Sequence, residues 1–147
     1  MVAEETQSSI RTLRIVKETL VAAPPEIVFE TILEPHGPMK EMNMKLEAWP
    51  GGRWFRDLGN NTGHLWGHVQ VIKPPKLLEL VGPTMMSYPA ISHIQYRLSE
   101  QAGQTLLKFT HQAIGLIEPG LEQGVTKGWG EMLDLIRQAA EKKKHGR

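Results

Sequence analysis

From about Gly120 to Lys143 the chain carries an unbroken apolar stripe: Leu121, Val125, Trp129, Met132, Leu133, Ile136 and Ala140. Their three- and four-residue spacing predicts one long amphipathic helix. Lys127, Asp134, Arg137 and Gln138 fall on its other faces. A stripe of that length needs a broad apolar surface to cover it, and whatever the rest of the chain builds has to supply one.

The preceding sequence offers strands. Residues 10–22 alternate roughly with β-branched residues and predict a first strand, which Ala23-Pro24-Pro25 ends because proline lacks the ladder donor. Pro25 fits the first turn of a helix over Glu26 to Leu33, with Ile27, Phe29, Ile32 and Leu33 on one side. Pro35, Gly37 and Pro38 break it, and Met39 to Met44 form a second short helix or a loop. Strands are then expected at about 44–49, 52–57, 64–73, 76–82, 91–99 and 104–113. Pro50-Gly51-Gly52, Gly59-Asn60-Asn61, Pro74-Pro75 and Ala102-Gly103 punctuate them with turn chemistry. Strands joined by short turns make an antiparallel sheet. The expectation is an α+β fold in which a curved antiparallel sheet wraps the long C-terminal helix, with short helices after the first strand.

The 147 residues suit one domain, expected over residues 10–144 with an internal cavity, after a loose arm at 1–9. A net charge of +1 gives no reason to expect nucleic acid or an anionic membrane as partner. The chain has no cysteine, which excludes disulfides and thiolate chemistry. No signal-peptide pattern and no apolar run of membrane-spanning length is present, so the expectation is a soluble cytoplasmic domain.

Several landmarks occur in a meaningful order: Ala23-Pro24-Pro25-Glu26-Ile27-Val28-Phe29, Pro50-Gly51-Gly52-Arg53-Trp54, Gly67-His68-Val69 running into Lys73-Pro74-Pro75, Gln104-Thr105-Leu106, and Gly128-Trp129. The series resembles the activator of heat-shock-protein-90 ATPase homologue-like family, over about residues 12 to 140. That resemblance implies the helix-grip fold of the START, polyketide-cyclase and pollen-allergen superfamily, with a cavity between sheet and helix. It also implies a range of functions from carriers to cyclases to chaperone co-factors. Two departures stand out: Met39-Lys40-Glu41-Met42 replaces a tryptophan common after the first helix, and residues 83–90 (PTMMSYPA) form a methionine-rich loop.

Six histidines invite a metal reading, but the spacing opposes it. His64 and His68 on one strand would stand about 13 Å apart, far beyond a shared ion with Zn–N bonds of about 2.0–2.1 Å. No metal and no cofactor is expected. No Gly-x-Ser-x-Gly elbow or phosphate loop is present, so an enzyme would have to use a histidine, His68 or His111, as acid or base. His111 shares the apolar face of its strand with Thr105, Leu107 and Phe109. For residues 64–73, alternation turns Leu65, Gly67, Val69 and Val71 inward, whereas the family resemblance turns Trp66, His68, Gln70 and Ile72 inward. We take the second phase, because an exposed Trp66 would need a partner surface to cover it.

The methionines at 39, 42, 44, 85, 86 and 132 are adaptable fillers suited to promiscuous pockets. Gly124 and Gly128 leave the helix edge bare, either for close packing or for open volume. The reading chosen is non-enzymatic binding of an apolar or amphipathic small molecule. Trp54, Trp66, Tyr96, Trp129 and Met132 would form apolar wall, and His68 and His111 would be polar anchors. A chaperone ATPase co-factor, and a cyclase- or hydrolase-type enzyme using a cavity histidine, are the alternatives. A homodimer is left open.

Overall fold

The computed structural model describes residues 9–86 and 89–147. The expected arm therefore lies outside the described residues except for Ser9. Seven antiparallel strands form one sheet in the order β1-β7-β6-β5-β4-β3-β2. They are β1 (Arg11–Val21), β2 (Met44–Leu46), β3 (Arg53–Gly59), β4 (Thr62–Lys73), β5 (Leu77–Gly82), β6 (Ala90–Gln101) and β7 (Gln104–Gly115). Every neighbouring pair except β1–β7 is consecutive in sequence, as short turns require. Helices α1 (Pro25–Ile32) and α2 (Pro38–Glu41) fill the crossover from β1 to β2, and α3 (Leu121–His145) closes the chain.

Proline begins both short helices. Pro25 takes the first turn of α1, where its missing N–H costs nothing, and the Pro24 carbonyl accepts from the amides of Ile27 and Val28. The end of β1 is fixed by two side chains. Thr105 Oγ1 donates to the Ala23 carbonyl at 2.7 Å, and the Ala22 amide donates to Glu141 Oε2 at 2.9 Å. The second bond ties the sheet to the C-terminal part of α3.

The stripe of α3 is buried from Trp129 onward, through Met132, Leu133, Ile136 and Ala140. It joins one core with Leu107 and Phe109 of β7, Ile94 and Tyr96 of β6, and Leu78 and Leu80 of β5. Phe109 bridges the layers, with its ring centroid 5.1 Å from Tyr96 and 4.5 Å from Trp129. Each such side chain contributes roughly 1.5–3 kcal/mol when fully buried. Leu121 and Val125, two turns and one turn before Trp129, are only half-buried.

Strand β2 ends at Leu46, three residues short of expectation, because the chain turns there. The Glu47 carboxylate captures the Arg53 amide at 2.8 Å, and the Trp49 carbonyl accepts from the Gly52 amide at 2.8 Å. The phase expected for β4 is also corrected. Trp66 is buried as expected, but His68 and Gln70 are exposed while Gly67 and Val69 are buried. Two register shifts explain this. Trp54 pairs with Gly67 and Phe55 with Leu65, so Trp66 is an extra residue on β4. Val69 pairs with Leu80 and Val71 with Glu79, so Gln70 is a second one. Each bulge exchanges the faces, and neither simple phase survives the length of the strand.

Candidate functional site

His111 is 1% exposed, and both of its ring nitrogens are engaged. The Trp129 Nε1–H lies 2.9 Å from His111 Nδ1, and Ser92 Oγ lies 2.9 Å from Nε2. Indole nitrogen can only donate, so Nδ1 accepts, and the imidazole proton sits on Nε2 and donates to Ser92. That arrangement holds a neutral histidine of one tautomer. Burial pushes its pKa down to about 4. The trio joins three elements: β7 supplies His111, β6 supplies Ser92 and α3 supplies Trp129. Ser92 faces the helix because it shares β6's inward phase with Ile94, Tyr96 and Leu98.

In front of His111 and Trp129 opens a cleft of about 680 Å³. Its walls are α2, the segment 83–86 and the N-terminal half of α3. Met39, Met42, Met85, Met86 and Met132 all line it. Gly124 and Gly128 line it too, and a Cβ built on either meets no atom within 4 Å. Open volume, not close packing, is the reason the helix edge is bare there. It is also why Leu121 and Val125 remain half-buried. The segment 83–86 is tied to the sheet by the Thr84 amide, which donates to the Trp66 carbonyl at 2.7 Å.

A smaller cleft of about 450 Å³ adjoins the first and shares Met42, Thr84, Met85 and Met86 with it. Trp66 and Arg56 belong to this second space. Behind both, between sheet and helix, the interior is nearly filled. Trp54 and Tyr96 border a residual void of only about 30 Å³, room for little more than a water or two. Trp54 packs edge-on against Trp66 with centroids 5.4 Å apart. Burial raises the pKa of the Tyr96 phenol, which stays protonated.

Of the residues singled out from sequence, His111, Trp129 and Met132 come together at the larger cleft, and Trp66 borders the smaller one. Trp54 and Tyr96 are core residues behind them, and His68 lies exposed, away from both clefts. Sequence reasoning missed Ser92 and Arg56. A lone serine on the inward face of β6 was the available signal for the first. The charge two residues beyond inward-facing Trp54 was the signal for the second. Among the described residues no cluster of His, Cys, Asp or Glu is arranged to hold a metal ion, and no helix is long and apolar enough to cross a membrane.

A curved seven-stranded sheet gripping a C-terminal helix, with short helices after the first strand and a cleft at the helix N-terminal half, defines a protein of the helix-grip fold. The family model described as activator of Hsp90 ATPase homolog 1-like protein matches residues 22–141, and the chain belongs to that family. No curated protein matches it. Among solved structures it is similar to a putative uncharacterized protein from Rhizobium leguminosarum, with TM-score 0.73 and 21% identity over 93% of this chain and 99% of that one. The Mll3558 protein from Rhizobium loti gives TM-score 0.70 and 16% identity, covering 89% of this chain and 99% of that one. DynU16, a putative protein in the dynemicin biosynthetic locus, gives TM-score 0.65 and 17% identity, covering 89% of this chain and 48% of that one. At these identities the likeness is one of fold.

Proposed function

We propose that the protein binds or carries an apolar or amphipathic small molecule in the cleft beside α3, without transforming it. The observation that carries this reading is the cleft's composition. It is a space of about 680 Å³ walled by methionines and by the bare edge of α3, with His111 and Thr84 as its buried polar side chains among the described residues. A mostly apolar concavity with few polar groups suits a small-molecule site, and methionine side chains re-pack around varied ligands.

The state of His111 supports binding over acid–base chemistry. Its Nδ1 lone pair already accepts from Trp129, and its proton is already given to Ser92. A general base needs a free lone pair near neutral pH. A similar fold in a biosynthetic locus, that of DynU16, fits a role in handling small molecules.

Native mass spectrometry of the purified protein against a panel of fatty acids, sterols and aromatic polyketides tests the reading. Retention of at least one panel member as a stoichiometric complex is the expected result. No bound species across the whole panel would overturn it.

A further inference from the structure

The smaller cleft differs from the larger one in charge. Its wall carries Arg56 and His64, which face each other across β3 and β4, and no carboxylate. Directly paired side chains on one sheet face stand close enough to act on one ligand group. The nearby cations have partners of their own. Arg53 grips Glu47 through two bonds of 2.9 Å, and Lys45 lies 3.4 Å from Asp57. Arg56 has no ion-pair partner among the described residues, and its Nε is shielded from solvent without a hydrogen-bond acceptor. A guanidinium donor hidden from water and left unpaired is costly, and a planar anion is the group that matches its donor fork.

We propose that Arg56 receives the acid group of an amphipathic ligand, a carboxylate on an apolar body, with His64 beside it. The apolar body passes the shared methionines and lies in the larger cleft. This rests on the binding role proposed above and adds the ligand's chemical class and orientation. The orientation follows from charge: Glu118 and Glu131 line the larger cleft only, where they would repel an acid. Met42, Met85 and Met86, common to both spaces, are flexible enough to let a chain pass.

Titration calorimetry with decanoate, decan-1-ol and decylammonium, three probes with one tail and different heads, separates the two claims. The parent protein is expected to bind decanoate about ten- to a hundredfold more tightly than decanol, and decylammonium most weakly. Arg56→Gln should erase the preference for the acid while leaving decanol affinity unchanged. Arg56→Lys, which keeps charge but not the fork, should retain part of it. Equal binding of all three heads, or an undiminished acid preference in Arg56→Gln, would overturn the role of Arg56 and leave the cleft as a binding site. Failure of all three probes to bind would overturn the cleft reading and this proposal with it. A melting curve of Arg56→Gln matching the parent shows that the comparison concerns the ligand and not folding.

Discussion

The indole N–H of Trp129 donates to His111 Nδ1 at 2.9 Å, and this bond fixes the histidine's tautomer from the helix side of the core. It also sets which end of the imidazole meets Ser92. Trp129→Phe keeps most of the apolar volume but leaves a buried nitrogen lone pair unsatisfied. Ser92→Ala leaves the opposite Nε2–H without an acceptor. Each should cost about 1–3 kcal/mol in urea unfolding. Since both act through the same ring, the double variant should cost less than the sum of the two. Strict additivity would show that the trio is not a network.

Stability should depend on pH through His111. Its pKa is about 4 in the folded chain against 6.5 when free, so the unfolded state takes the proton first as pH falls. The stabilisation is fully present above pH 6.5 and is lost as pH falls toward about 4. At about 1.36 kcal/mol per pKa unit the whole loss is on the order of 3 kcal/mol. The paired carboxylates act lower: Arg53 holds Glu47 down to about 2, and Asp57 and Asp134 are also held below the usual range. Melting temperatures at pH 7 and pH 4.5 should therefore differ less in His111→Gln than in the parent. An unchanged difference would mean that His111 does not titrate with unfolding.

Strands β4 and β5 approach closely at Gly67. A Cβ there would stand 2.6 Å from the Val81 carbonyl oxygen, and a Cβ on Gly82 would meet Gly67 in turn. Backbone cannot give way as a flexible side chain can. Gly67→Ala is expected to cost about 1–3 kcal/mol, the range for overpacking, and to disturb the bulge that turns Trp66 inward. Thermal unfolding together with the near-ultraviolet signal of the tryptophans checks both parts. An unperturbed melting curve would show that the strands can separate there without cost.

The fold was largely legible because its signals are local. The stripe on α3, the prolines before α1 and the turn residues between strands each act within a few positions. The phase of β4 was not legible. Whether His68 or Gly67 points inward depends on extra residues at Trp66 and Gln70, and a bulge is a pairing event that residue types do not announce. His111 was readable as inward-facing from alternation. Its contact with Ser92 was not, because the two lie 19 residues apart and meet only through the β6–β7 register. Trp54 and Tyr96 were expected as cavity wall, but large side chains fill the interior there, and of the two readings open for Gly124 and Gly128 the space beside them fits open volume.

Gly128→Leu tests the central claim most directly. The cleft reading puts open space in front of this residue, so leucine should enter the cleft without strain. Helix propensity should then add up to about 1 kcal/mol of stability. The decisive measurement is the melting temperature of parent and variant, each with and without the tightest-binding panel member. The account predicts a variant that melts at or above the parent alone and loses the ligand-induced rise. A variant that melts clearly below the parent, or that keeps the full ligand-induced rise, would contradict it.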